Sequence, residues 1–182
     1  MKNPLAFVHP NAKVGENVTI EPFAYIDADT EIGDGCWIGP NACIWEGARI
    51  GSDCKIYPGA QISCKPQDLK YDGEKTLTII GNNTTVREFV TISRGTNHRN
   101  QTVIGNNNLL MSYVHIAHDC VLGDDCIISN SVQVAGHVSI GDFAIIGGTA
   151  AIRQFVKIGA HVMIAGGSLV RKDVPPYVSA AR

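Results

Sequence analysis

The sequence predicts an all-β chain wound as a parallel β-helix, a triangular prism of stacked coils, and three observations predict it. An aliphatic residue falls on every sixth position from Val8 to Ile62 without a miss: Val8, Val14, Ile20, Ile26, Ile32, Ile38, Ile44, Ile50, Ile56 and Ile62. Four residues after each stands something small or compact, as at Ala12, Val18, Ala24, Thr30, Cys36, Ala42, Ala48, Cys54 and Ala60. Glycine directly follows the aliphatic at Gly15, Gly33 and Gly51, then at Gly105, Gly123, Gly141 and Gly159, in steps of eighteen. Two inward residues in every six fit neither a helix nor an alternating strand; they fit flat sides that stack. Eighteen residues are three such sides.

Taken in order, the coil is unbroken to Ile62 and resumes at Ile80, Val86 and Ile92. It then runs through Ile104, Leu110, Ile116, Leu122, Ile128, Val134, Ile140, Ile146, Ile152, Ile158, Ile164 and Val170. Gly81 belongs to the glycine column but lies thirty residues after Gly51, and Gly105 lies twenty-four after Gly81. The excesses of twelve and six measure two inserted loops, one between about Ser63 and Leu77 and one around Asn97 to Thr102. Twenty-five hexads make about eight coils, and at a strand spacing of ~4.8 Å the prism is roughly 40 Å long. The β-helix domain is expected over residues 1–175. Residues 176–182 read as the start of a C-terminal region that is otherwise absent.

With 182 residues, 45% of them hydrophobic, and a net charge of −2, the chain reads as one soluble domain with no charge excess suited to nucleic acid. No apolar run approaches the ~18 residues of a membrane span, and the N-terminal MKNPLAFVHP has no signal-peptide segment. The expectation is a cytoplasmic protein. Cys36, Cys54, Cys120 and Cys126 occupy the small inward position, where a thiol packs as a small hydrophobe, while Cys43 and Cys64 lie elsewhere. Their spacing indicates neither a metal cluster nor a disulfide framework, so no metal and no cofactor are expected and all six thiols are expected reduced. The open ends and flat sides of a solenoid favour self-association.

Stacking turns sequence separation into proximity. On the side defined by Ile92, Ile116, Val134 and Ile152, the third hexad position reads Arg94, His118, Gly136, Gln154 and the fourth reads Gly95, Asp119, His137, Phe155. His118 is therefore expected one coil from Gly136, and Asp119 one coil from His137, with His115 just before. Both inserted loops leave from this side. Corner side chains of a β-helix are ordinarily solvated, but this convergence of histidines, a carboxylate, an amide and a bare glycine makes a candidate site. Gly148 and Gly166, eighteen apart on a neighbouring side, are either turn glycines or leave room for something long and thin.

The segments QDLKY from Gln67, TISRGT from Thr91, NNLLM from Asn107, HIAHDC from His115, AGHVSI from Ala135, GDFAIIGG from Gly141, IGAHVM from Ile158 and DVPPY from Asp173 resemble, in the same order, the UDP-N-acetylglucosamine O-acyltransferase family of lipid A biosynthesis. The resemblance implies a left-handed helix, whereas crossovers between parallel strands are ordinarily right-handed. It also implies a C-terminal helical region and a homotrimer with sites between subunits. The implied partners are acyl carrier protein and UDP-N-acetylglucosamine, whose 3-hydroxyl receives a 3-hydroxyacyl group. By matching motif, His118 is implied as general base, Asp119 as the group that orients it and Gly136 as the oxyanion-hole amide. Asp68, Lys70, His115, His137 and Gln154 are implied contacts to the nucleotide sugar. Gly166, with Gly148, is implied as room for the acyl chain. The family commonly has His where Arg153 stands here.

The chemistry so implied is a single displacement on a thioester, for which an imidazole suits proton removal and a backbone N–H suits the charge that develops on the carbonyl oxygen. No serine elbow or cysteine motif suggests an acyl-enzyme. The rival readings are a γ-carbonic-anhydrase-like metal enzyme using His115, His118 and His137, a β-helix that only organises an assembly, and the later N-acyltransferase of the same pathway.

Overall fold

The computed structural model of the chain describes residues 1–181, and within them twenty-six strands form three parallel sheets, the faces of a left-handed prism. The first face carries Phe7–Val8, Tyr25–Ile26, Cys43–Ile44, Gln61–Cys64, Thr91–Ser93, His115–Ile116, Gln133–Val134, Ala151–Ile152 and Leu169–Val170, each strand beside its neighbours of the previous and next coil. Most hexads turn their corner on one residue of left-handed backbone three places after the aliphatic, as at Asn17 (φ 54), Asp53 (φ 57) and Asp125 (φ 56). Asn and Asp are frequent there because their short polar side chains tolerate that conformation. Among the described residues no helix is long and apolar enough to cross a membrane.

The core is the aliphatic column. Ile26, Ile38, Ile44, Ile56, Ile62, Ile92 and Ile116 are fully buried, each contributing ~1.5–3 kcal/mol through removal from water. One corner adds a second use for the small inward position. Cys36 Sγ donates to Gly51 O at 3.1 Å, Cys54 Sγ to Gly81 O at 3.0 Å, Thr84 Oγ1 to Gly105 O at 3.0 Å, Asn108 Nδ2 to Gly123 O at 2.9 Å and Cys126 Sγ to Gly141 O at 3.3 Å. Each satisfies a carbonyl of the next coil that would otherwise be buried without a partner. Outside the same corner, Asn82, Asn106, Asp124 and Asp142 accept the amides of Ser52, Asn82, Asn106 and Asp124. The six cysteines are free, and Cys36, Cys54, Cys120 and Cys126 are buried.

The inserted loops occupy residues 65–76 and 94–100. The second lies about three residues earlier than its expected place, because Leu77–Ile80 and Gln101–Ile104 pair along four residues instead of the usual two. The end of the insertion is thereby drawn into the sheet. At the far end Ser179–Ala180 still pairs with Met163–Ile164. Of the expected C-terminal region, residue 182 lies outside the described residues.

The glycine column is required by coil stacking: a Cβ on Gly105 would lie 2.5 Å from Gly123 O and 2.7 Å from Gly123 C, both backbone atoms of the next coil. Gly105→Ala should therefore push two coils apart and lower the thermal midpoint by on the order of 5 °C. A midpoint within experimental error of the parent would show that the coils yield without cost.

Candidate active site

The pairing of the first face sets the site. Ile116 is in register with Val134, and Val134 with Ile152, so residues two and three places beyond these aliphatics meet across coils. A Cβ on Gly136 would stand 2.7 Å from His118 Cε1 and 2.8 Å from Nε2. The His118 ring thus rests on bare backbone, and any larger residue at 136 would displace it. Asp119 (φ 60) and His137 (φ 66) take the left-handed corner positions, and the His137 amide donates to His118 O at 3.0 Å.

Corners of a β-helix are ordinarily solvated, and this one is not. Asp119 is fully buried, because the 94–100 loop folds over it. Its Oδ1 accepts the amides of Thr96 at 3.0 Å and Arg99 at 3.1 Å. Its Oδ2 accepts Thr96 Oγ1 at 2.6 Å and pairs with His118 Nδ1 at 2.8 Å. Burial pushes the Asp119 carboxyl up, but the hydrogen bonds from Thr96, His118 and Arg99 outweigh it and hold the pKa below the usual carboxylate range. A carboxylate can only accept, so His118 Nδ1 carries the hydrogen and Nε2 keeps its lone pair. Nε2 lies 3.8 Å from Asp68 Oδ2, too far for a hydrogen bond.

His137 is enclosed differently. Its ring stacks on Phe155 with centroids 4.3 Å apart at 2°, meets His118 edge-on at 4.9 Å and His98 at 4.6 Å. Its Nδ1 is buried without a hydrogen-bond partner, 3.7 Å from Asp119 Oδ2. Burial lowers the His137 pKa; Asp119 opposes the shift, and His118 and His98 add to it. His115 shares a hydrogen bond of 2.7 Å between Nδ1 and Thr91 Oγ1. Its pKa is lowered too, by burial first and then by the neighbouring His118.

The 65–76 loop forms the other wall of a cleft of about 380 Å³ lined by Gln67, Ser93, His115, His118, Gln133 and Gly136 among others. The loop is tied down by Arg94, which is buried and bonds Tyr71 Oη at 3.1 Å, Glu46 O at 3.1 Å and Glu46 Oε1 at 2.8 Å. Asp68 Oδ1 accepts the Lys70 amide at 2.9 Å.

Of the residues singled out from sequence, the structure gathers Asp68, His115, His118, Asp119, Gly136 and His137. It does not bring Lys70 or Gln154 to the cleft: Lys70 is exposed, and Gln154 is exposed in a separate depression with Arg153 and Phe155. Gly148 and Gly166 stack on each other at a different corner, a Cβ on Gly166 lying 3.2 Å from Gly148 O. Thr96, His98 and Arg99 escaped sequence reasoning, since no periodicity governs a loop. His118, Asp119 and His137 could offer one ligand atom each to a metal ion; this is a different trio from the one weighed from sequence. Both Asp119 oxygens are already occupied by two partners each, which does not suit a ligand carboxylate.

Comparison with known proteins follows the same lines. A family described as bacterial transferase hexapeptide (six repeats) matches residues 29–64 and 101–136. An acyl-[acyl-carrier-protein]–UDP-N-acetylglucosamine O-acyltransferase of Trichlorobacter lovleyi is 57% identical over 176 residues, 96% of this chain and 67% of that one. The like-named protein of Chlorobium phaeobacteroides is 60% identical over 115 residues, 63% of this chain and 44% of that one. The match to the Chlorobium protein thus spans less than half of its length. The crystal structure of a UDP-N-acetylglucosamine acyltransferase from Bacteroides fragilis superposes with a TM-score of 0.99 at 50% identity, over 100% of this chain and 71% of that one.

The lowered pKa values of His115 and His137 have a consequence for stability. The unfolded chain takes up protons on histidine near pH 6.5 while these two native rings resist them, so stability rises with pH through that region and falls below it. Asp119, whose pKa is lowered, adds its own loss only near pH 4 and below. The thermal midpoint should fall on going from about pH 7.5 to 5.5, and His137→Phe, which keeps a ring but cannot titrate, should fall less. Parallel curves for the two proteins would contradict the burial account of His137.

Proposed function

The chain belongs to the acyl-[acyl-carrier-protein]–UDP-N-acetylglucosamine O-acyltransferase family, and from that premise we propose that it moves a 3-hydroxyacyl group from acyl carrier protein to the 3-hydroxyl of UDP-N-acetylglucosamine, the first step of lipid A biosynthesis. The observation that carries the reading is His118, held through Nδ1 by a buried carboxylate at 2.8 Å and seated on the backbone of Gly136. Nε2 is the only ring nitrogen of His118 free to accept, so it takes the proton of the sugar hydroxyl as that oxygen attacks the thioester carbon. Negative charge then moves to the carbonyl oxygen. Among the described residues no acceptor for the Gly136 amide is found, which suits that amide to the oxyanion. Collapse expels the carrier thiolate, which recovers the proton from His118.

Asp68, Lys70, His115, His137 and Gln154 are assigned to the nucleotide sugar, and Gly148 with Gly166 to the acyl chain. Since Lys70 and Gln154 stand outside the single-chain cleft, the assignment goes with a homotrimer in which sites form between copies. An outward row on the face that carries Leu109–Leu110, Ile127–Ile128, Ile145–Ile146 and Met163–Ile164, namely Leu109, Ile127, Ile145 and Met163 in register from coil to coil, supports such packing, because Ile145 and Met163 are 36% and 45% exposed in the single chain. The reading places the reaction in the cytoplasm. It is tested by incubating the protein with UDP-N-acetylglucosamine and 3-hydroxyacyl carrier proteins and identifying the product by mass spectrometry; no acylated sugar with any chain length would end it.

Removing the base should cost activity without cost to the fold. His118→Ala should lower kcat by ~10²-fold or more, and the acidic limb of kcat/KM should vanish with it. If His118→Ala keeps more than a few per cent of turnover while His137→Ala or His115→Ala abolishes it, the base is misassigned.

Lys70 is a flexible cation on a loop, so its part is binding. Lys70→Ala should raise the KM for the nucleotide sugar more than it lowers kcat, the pattern of lost uniform binding. The opposite split, a collapsed kcat at unchanged KM, would contradict that part.

A further inference from the structure

The 94–100 loop interrupts a coil that needs no interruption, and three of its polar groups converge on one carboxylate. Thr96 supplies both its amide and its hydroxyl, at 3.0 and 2.6 Å, and Arg99 its amide at 3.1 Å. Thr96 is itself buried, yet it lies in the insertion and not in the coil, whose small inward position is held by Thr102 in register with Thr78. Since Thr96 stands outside the strands, the stacking of coils does not call for a hydroxyl there. The loop is also anchored: Thr76 Oγ1 donates to Gly95 O at 2.6 Å, and the Asn97 amide donates to Glu74 Oε1 at 3.0 Å. Behind the carboxylate, the Asp119 amide donates to Thr102 Oγ1 at 2.9 Å, so the residue is fixed from the opposite side as well.

We propose that Thr96 is a positioning residue for acyl transfer, holding Asp119 in the one orientation that aims His118 Nε2 into the cleft. The proposal rests on the reading of His118 as base. Among the described residues Asp119 Oδ2 has two close donors, Thr96 Oγ1 and His118 Nδ1. The threonine hydroxyl therefore does two things. It stops the carboxylate rotating about its Cβ–Cγ bond, and it draws off part of the charge that His118 would otherwise feel. Without it the carboxylate is free to swing towards His137 Nδ1, which stands 3.7 Å away with no partner of its own. The charge left on Oδ2 would stabilise the protonated imidazole more strongly.

The groups that also face this pair are Asp68 across the cleft, His115 on the preceding strand, His137 on the next coil with His98 behind it, Glu74 on the first loop and Arg99 on the second. None of these titratable side chains bonds the Thr96 hydroxyl, but the His98 amide donates to it at 3.3 Å; a displaced pH profile that the serine variant restores therefore reports the lost hydroxyl.

The test compares Thr96→Val, which keeps the shape, with Thr96→Ser, which keeps the hydroxyl, and runs His118→Ala alongside. Thr96→Val should lose roughly tenfold in kcat, the scale of one hydrogen bond to a charged group, with the KM for the nucleotide sugar within about twofold. Its acidic limb of kcat/KM should move to higher pH. Thr96→Ser should restore both kcat and the limb. Thr96→Ala replaces the valine variant if that protein does not fold. Should Thr96→Val match the parent in kcat and pH profile while His118→Ala is inactive, the positioning role is wrong and the base stands. Equal losses in the valine and serine variants, tracking their thermal midpoints, would make Thr96 merely structural. Activity retained by His118→Ala would overturn the base and this proposal together.

Discussion

The structure depends on the hydrogen bond from a backbone amide of one coil to a carbonyl of the next. Ala117 donates to Val134 O at 3.0 Å and Ala135 to Ile152 O at 3.1 Å, and the same link repeats along all three faces. Parallel strands bonded this way lie about 4.8 Å apart, and that single distance dictates what each column can hold. Where backbone faces backbone most closely only glycine fits, as Gly105 does against Gly123. Inside, aliphatics stack on aliphatics. Where a corner carbonyl turns inward, the residue beside it is a thiol, hydroxyl or amide able to answer it, as Cys54 and Asn108 do.

An insertion in such a coil must return the chain to the same register, or every later side chain would face the wrong way. Both insertions do so through the four-residue pairing of Leu77–Ile80 with Gln101–Ile104. The segments left outside the coil then have only one surface to pack on, the corner of the first face and each other. Their mutual contacts, Thr76 to Gly95 and Glu74 to Asn97, close them into a cover. A corner that would be wet becomes dry, and dryness is what gives Asp119 its environment: buried, yet supplied with enough donors to remain a carboxylate.

That division explains what was legible beforehand. Column arithmetic placed His118 on Gly136 and Asp119 beside His137 correctly, because translation from coil to coil is a local rule that sequence spacing expresses directly. The same arithmetic located two insertions and sized them. It set both loops over this side but could not say that the second closes on Asp119 and dries it, so Thr96, His98 and Arg99 went unnoticed; two of those three act partly or wholly through backbone amides, which leave no mark on residue type. Nor could spacing fix the hand of the winding, where the default preference for right-handed crossovers points the wrong way. The second loop was placed too late because a strand that lengthens from two residues to four does not disturb the hexad count.

His118 and His137 face the same carboxylate oxygen, and their inequality is what makes the site directional. At 2.8 Å His118 has a hydrogen bond; at 3.7 Å His137 has none. Phe155 and His98 enclose the His137 ring, and burial keeps it in the neutral form. On the proposed mechanism that neutrality matters. When His118 takes the proton of the attacking hydroxyl, the imidazolium forms 4.9 Å, ring to ring, from His137. A second cation there would repel it, by several kcal/mol at the effective dielectric of a partly buried site. With His137 neutral and Asp119 anionic, proton transfer to His118 creates an ion pair instead of an isolated buried cation. The orphaned nitrogen of His137, a buried polar atom costing ~1–3 kcal/mol, is then understandable as the consequence of holding a second imidazole close to Asp119 without letting it compete for the oxygen that orients the first.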